Sequence, residues 1–331
     1  MRGNPLSTHA DECVDALLHI WSRCHGCGVA PIVGERFECD ICADGPNNDL
    51  CAHCYVRYAD GQVQHPPPGS LNEITQSTTG PHTFSRRTNT EIQPSPRWLN
   101  VIAARVDAPL VPDHFVVRPE FCGGGESFLG SYGFIVAGSP PLFVTCLHVM
   151  AGVARARGVV TSLENPNYSG RELPALVGRV NLYDVFAKNW MMARLGHAAP
   201  MLVLPDARTR ELEPFSQRDI AAFVVDGNAD VVARPMASRV PDVGDAVWLA
   251  VASPGGSGRT IRCVVVESTE RTFIFRYVDK SESIPRFTSG APLLDADGDV
   301  AAMNVGLGVF EGHCFGHANH VSSIRRHLAR R

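Results

Sequence analysis

The chain has 331 residues, 44% of them hydrophobic and 19% charged, with a formal net charge of −4. That length gives room for about two domains and a sizeable core, the charge balance lacks the basic excess of nucleic-acid readers, and no apolar run is long enough to cross a bilayer. Met1 to Cys13 lacks the apolar centre of a secretory leader, so a cytoplasmic, reducing setting is expected, with proteins or peptides as partners.

Cysteine usage fits that setting. Seven of the eleven cysteines fall within the first 54 residues, six of them in C-x-x-C pairs, which in a reducing compartment point to metal before disulfides. Cys122, Cys146, Cys263 and Cys314 stand singly and read as buried thiols. In chain order, Val14, Leu17, Leu18 and Trp21 recur at helical spacing behind Asp11 and Glu12. They predict a short amphipathic helix from Ala10 to Trp21, which with the residues before it makes an N-terminal segment, 1–20.

Next come Cys24-His-Gly-Cys27, Cys39-Asp-Ile-Cys42 and Cys51-Ala-His-Cys54. A C-x-x-C turn aims two thiolates at one point, and Zn²⁺ takes four soft or borderline ligands in a tetrahedron. Six cysteines need two further ligands to complete two structural zinc sites, and His65 and His82 are the candidates. Spacing alone leaves the pairing of these ligands open. His25 and His53, inside the turns, read as solvent-facing spacers.

The runs I-V-G-E-R-F-E-C-D-I-C and N-D-L-C-A-H-C-Y, followed by H…H-T-F, resemble the ZZ-type zinc finger, here over residues 21–85. The resemblance implies a cross-braced arrangement, with Cys24, Cys27, Cys51 and Cys54 on one zinc and Cys39, Cys42, His65 and His82 on the other. It also implies a protein-binding module. Some members grip a free N-terminus with carboxylates; Asp44 and Asp49 fall in the region that supplies them, but His25 stands where such members often carry Asp. Residues 86–108 follow as a linker. Arg86 to Arg97 is polar and holds Pro94 and Pro96, whereas Trp98 to Val106 is apolar enough for an early strand of the next domain, 109–331.

From there short apolar runs alternate with Gly, Pro, Asn and Asp clusters, at Phe134–Ala137, Leu142–Cys146, Ile220–Val225, Ala246–Val251, Ile261–Val266, Phe273–Tyr277 and Val300–Val305. Such spacing predicts a mainly β sandwich or barrel, with one helix from Val321 to the end. In Ile284–Leu294, I-P-R-F-T-S-G-A-P-L-L, Gly290 and Pro292 break regular structure and present the hydroxyl of Ser289. A hydroxyl needs an imidazole to take its proton, and the imidazole needs a carboxylate to fix its tautomer. Upstream, T-C-L-H supplies His148 and R-D-I-A-A-F-V-V supplies Asp219, with about 70 residues between successive members. Taken singly, these read as a core histidine, a strand-edge charge and a turn serine; in this order and context they form a set. Ser257 is a weaker rival, with Arg259 where a nucleophile elbow wants Gly. Cys146, two residues before His148, is read as core, pointing away from the partner of the histidine.

At His148, Asp219 and Ser289 the chain resembles the trypsin-like serine protease family. The resemblance implies two antiparallel six-stranded β-barrels with the site in the cleft between them, Gly130–Val136 as an early strand, and a basic terminal helix whose arginines cap it. It implies His148 as base and then acid, Asp219 as its orienting partner, Ser289 as nucleophile, and the backbone N–H groups of Ser289 and Phe287 as the oxyanion hole. Ser283 would lie at the base of the substrate pocket, Asn304 to Gly306 along the bound substrate, and Gly316 in the pocket wall. Thr288 replaces the Asp of members activated by proteolysis, and Phe287 replaces a nearly invariant Gly. The implied function is an intracellular serine endopeptidase whose finger binds or positions a protein. The alternative is a protein-binding adaptor with a weakly active or inactive protease-like domain.

Overall fold

The computed structural model describes residues 18–19, 24–27, 32–33, 35–39, 49–65, 82–87, 96–159, 170–171, 173–187, 193–204, 207, 209, 218–252, 259–269, 271–278, 288–310 and 312–329. The chain divides into two compact units, Met1–Asn100 with Gly308–Phe310, and Val101–Leu307 with Glu311–Arg331. No described helix is long and apolar enough to cross a membrane.

The first unit is built around thiols. Strands β1 (Leu18–His19) and β2 (Ile32–Val33) pair antiparallel. Strands β3 (Arg36–Cys39), β4 (Asp49–Cys51) and β5 (Phe84–Arg87) form a second sheet with β3 central, and α1 (Ala52–Ala59) follows β4 directly. Cys24, Ile32, Leu50 and Cys54 are fully buried, with Phe37, Tyr55, Tyr58 and Phe84 packed against them. So small an apolar core gives little stability by itself, and metal ligation is the usual supplement. Two expectations change here. The helix expected from Ala10 to Trp21 lies outside the described residues except at Leu18–His19, which is strand because its backbone pairs with Ile32–Val33. Arg86 and Arg87, read as the start of the linker, extend β5, where they pair with Phe37 and Arg36.

The second unit holds two barrels. The first comprises β6 (Val116–Gly123), β7 (Glu126–Leu129), β8 (Gly133–Val136), β9 (Leu142–Thr145), β10 (Arg179–Asp184), β11 (Arg194–Met201) and β12 (Ala221–Val225). Six of them run in the order β10-β11-β12-β9-β8-β6, closed by pairing of β6 with β10, and β7 is a hairpin arm on β6. The second barrel comprises β13 (Ala246–Ala250), β14 (Thr260–Ser268), β15 (Thr272–Tyr277), β16 (Pro292–Leu294), β17 (Val300–Phe310) and β18 (His313–His320), closed in the order β13-β14-β15-β18-β17-β16. The apolar runs at β8, β9 and β13 are buried at every residue, which is why they read as continuous apolar stretches rather than alternations. Phe121, Phe143 and Phe223 meet inside the first barrel, and Phe273, Phe275 and Tyr277 line up in the second.

Trp98 to Val106 is not a strand. Pro96–Asn100 is a 3₁₀ turn, and the extended residues beyond it give their carbonyls to side chains rather than to a ladder. Arg276 donates to the Val101 carbonyl at 2.8 Å and Arg262 to that of Ala104 at 2.5 Å. A short 3₁₀ turn at Leu147–Met150 leads into α2 (Ala151–Ala156), and the chain closes on α3 (Val321–Leu328), capped by the His320 ring accepting from the Ser322 N–H at 3.1 Å. Arg325, expected as an electrostatic cap of that helix, also donates to the carbonyls of Met236 and Ala237, at 3.0 and 2.8 Å, and so ties the helix to the loop before β13.

Candidate active site and metal centre

The register of two adjacent strands brings His148 and Asp219 together. β9 pairs with β12 so that Thr145 lies opposite Ala221. Residues three beyond Thr145 and two before Ala221 therefore emerge at the same end of the barrel. The buried Asp219 carboxylate uses both oxygens on His148: Oδ2 lies 2.5 Å from Nδ1, and Oδ1 accepts the backbone N–H at 2.9 Å. Ring and backbone held by one buried carboxylate leave the imidazole little orientational freedom, and its side chain stays 25% exposed.

Ser289 sits in a turn clamped from both barrels. Its carbonyl accepts the Tyr132 N–H from the first barrel at 3.1 Å. On the other side Gly290 donates to the Asn304 carbonyl at 2.8 Å, and the Asn304 N–H donates to Ala291 at 2.8 Å. Gly290 has φ +86°, and a Cβ there would stand 2.1 Å from the Tyr132 carbonyl oxygen, so only glycine fits this crossing. The Ser289 hydroxyl donates to the Val305 carbonyl at 3.1 Å. To serve as a nucleophile it must turn that proton toward an imidazole.

Asn304, expected on the strand along a bound substrate, has a fully buried side chain whose Nδ2 donates to the carbonyl and Oγ1 of Thr288 at 3.0 and 3.1 Å. Gly306 is a buried residue of β17. Gly316 lies opposite Phe275, and a Cβ there would stand 2.0 Å from that ring. Ser283, Phe287 and Ser257 lie outside the described residues. Sequence reasoning missed three participants. Tyr132 braces the Ser289 turn. His317, buried on β18, has its ring pKa pushed down to about 3 by burial, opposed by the nearby Asp219 charge. Cys146, rightly read as core, does not point away from the pair: its sulfur, an Asp219 oxygen and a His148 nitrogen all lie within 4.8 Å of one another.

The cysteines of the first unit gather as four sulfurs. Cys24, Cys27, Cys51 and Cys54 lie within 4.8 Å of one another, with Cys27 and Cys51 at 3.9 Å. A tetrahedral zinc with bonds of about 2.3 Å sets sulfurs roughly 3.8 Å apart, so the donors fit the ion. Hydrogen bonding from Cys51 lowers the Cys24 thiol to about 4, and burial raises that of Cys54 to about 12. Gly26 is obligatory inside the first turn, because a Cβ there would stand 2.6 Å from the Cys54 sulfur. Cys39, His65 and His82 form a second buried group, with Cys39 Sγ 3.2 Å from His82 Nδ1. Burial lowers the His65 ring to about 4, keeping it in the neutral form that ligates metal. Cys42, the remaining expected ligand, lies outside the described residues, as does Asp44. Asp49, considered for an incoming ammonium, is buried and already bonded to Arg36 Nε at 2.8 Å.

Residues 130–303 match the trypsin-like peptidase domain, and residues 19–64 match the ZZ-type zinc finger. Among curated proteins, the E3 ubiquitin-protein ligase PRT1 of Arabidopsis thaliana is 34% identical over 56 residues, 17% of this chain and 12% of that protein. The chain thus spans a small part of that relative. Among solved structures, the Rv3671c protease of M. tuberculosis in its active form is 14% identical, covering 70% of this chain and 93% of that one, with a TM-score of 0.41. The serine endoprotease of Yersinia pestis is 14% identical over 70% of this chain and 64% of its own, at a TM-score of 0.38.

Proposed function

Because this chain belongs to the trypsin-like peptidase domain family and carries a ZZ-type zinc finger, we propose that it is a serine endopeptidase whose finger binds or positions a protein substrate or partner. The observation that carries this reading is the bidentate hold of the buried Asp219 on His148. A proton on Nδ1, fixed there by Asp219, leaves Nε2 as the free base that takes the Ser289 proton. The imidazolium so formed is stabilised by the carboxylate and then protonates the leaving amine. The N–H groups of Ser289 and Phe287 would face the oxyanion. Zinc is structural in this scheme: Cys24, Cys27, Cys51 and Cys54 hold one ion, and Cys39, Cys42, His65 and His82 a second.

A fluorophosphonate, which requires an activated serine, tests the reading on the full chain. Labelling is expected in the wild type and absent in Ser289→Ala, and Asp219→Asn should cut turnover by roughly 10⁴-fold with the fold intact. Labelling that survives Ser289→Ala would place the nucleophile elsewhere. A second reading, an adaptor with little turnover, is favoured by one residue, Phe287. An inward N–H at that position suits φ > 0, which a bulky side chain disfavours. If the peptide is flipped at rest, one oxyanion donor is lost, at about 10²–10³ in turnover. Phe287→Gly should then raise basal turnover and shrink any activation by a partner. Unchanged or lower turnover in that variant removes the gated hole.

A further inference from the structure

Three groups of metal-ligand side chains occur among the described residues; two belong to the finger, and the third is Cys146, His148 and Asp219. All three satisfy the same distance limit of 4.8 Å. The third offers a thiol, an imidazole and a carboxylate, the donor types that zinc takes. Its sulfur is fully buried and donates to the Asn304 carbonyl at 3.3 Å. We propose that these three residues form an inhibitory zinc site, in which Cys146 Sγ, His148 Nδ1 and one Asp219 oxygen hold the ion and switch the triad off. The proposal rests on the peptidase reading for its consequence, though not for the binding itself.

The chemistry follows from the lone pairs of one ring. A neutral imidazole has a single basic nitrogen. When zinc takes the Nδ1 lone pair, the ring proton moves to Nε2, which can then accept nothing from Ser289. The thiol proton leaves to solvent, so binding releases one proton per ion. Electrostatics favours the exchange. Burial and the Asp219 charge raise the Cys146 thiol well above its ordinary range, while the Gly290 N–H favours the thiolate. A dication placed between sulfur and carboxylate turns that like-charge repulsion into two attractions. Tetrahedral zinc wants these donors about 3.5 Å apart, so the 2.5 Å contact between Nδ1 and Oδ2 must open by about 1 Å.

The test uses the full chain with its finger already loaded, dialysed against buffers of rising free Zn²⁺. Bound zinc per chain and the rate of fluorophosphonate labelling are read on the same samples. The wild type should bind one zinc beyond the finger's complement and lose labelling over the same range. Cys146→Ala and Cys146→Ser should lose the extra ion, with the inhibition midpoint shifted by more than the roughly 10–100-fold typical of losing an outer-shell partner. Equal zinc counts and equal midpoints in wild type and variants overturn the site. An extra zinc that depends on Cys146 in a chain that never labels keeps the site and discards the peptidase; labelling indifferent to zinc does the reverse. Should both variants misfold, a wild type that binds no zinc beyond the finger's complement, or whose labelling is unmoved by free Zn²⁺, overturns the proposal.

Discussion

Gly290 carries two separate constraints. Its φ of +86° costs an L side chain strain, and a Cβ would run into the Tyr132 carbonyl at 2.1 Å. That oxygen cannot easily withdraw, because it also accepts the Thr145 hydroxyl at 2.6 Å. Gly290→Ala is therefore expected to displace the Ser289 turn, abolish fluorophosphonate labelling and cost about 1–3 kcal/mol in urea unfolding. Labelling at the wild-type rate would mean the turn tolerates the side chain. At this scale the sequence was most legible where chemistry restricts the residue type: His148 and Asp219, expected as partners because few other side chains could play the parts proposed for them, do meet. The direction of the Asn304 amide, toward Thr288, was not legible, because it depends on the place of the residue on β17 and one residue along a strand reverses the face. The direction of Cys146 was misjudged, since the chain turns into a 3₁₀ segment immediately after it and period-two alternation stops applying.

Among the elements, those with continuous apolar runs were found and the rest were not. β6 holds Pro119 in its interior, opposite Leu182 of β10, and proline ordinarily argues against a strand within a sheet. β16 is three residues long, too short for any periodicity. β18, H-C-F-G-H-A-N-H, carries three histidines and an asparagine, a polar composition for a strand buried along nearly its whole length. His317 in that strand gives a pH prediction. Its folded pKa of about 3 lies below the ordinary value of 6.5, so on acidification the unfolded chain takes the proton first. The stability it contributes is complete above about pH 6.5 and is lost as pH falls toward 3, at roughly 1.4 kcal/mol per unit. In a Ser289→Ala background, chosen to remove the proposed peptidase activity, the barrel unit should lose about 2 kcal/mol from this source between pH 6.5 and 5. His317→Leu should flatten that slope. Equal slopes in the two chains would mean that His317 is protonated without penalty.

For the whole molecule, the first unit has few buried apolar side chains and two clusters of metal donors, whereas the second closes two barrels on its own residues. Chelation of the full chain is expected to remove the finger's unfolding transition in calorimetry and leave that of the barrel unit. Loss of both together would show that the barrels depend on the metal. The order of parts along the chain has a further consequence, which concerns synthesis. Every strand of the first barrel, and the His148–Asp219 pair with it, precedes Asp226. The groups that hold the Ser289 turn from the far side, Asn304 and Val305, lie on β17, and the second barrel closes only when β18 joins it. A polypeptide emerging from the ribosome folds its earlier domain first. It therefore holds the His148–Asp219 pair while its Ser289 turn is still unsupported, so on the proposed peptidase reading a half-made copy cannot cut the ribosome, its neighbours or itself.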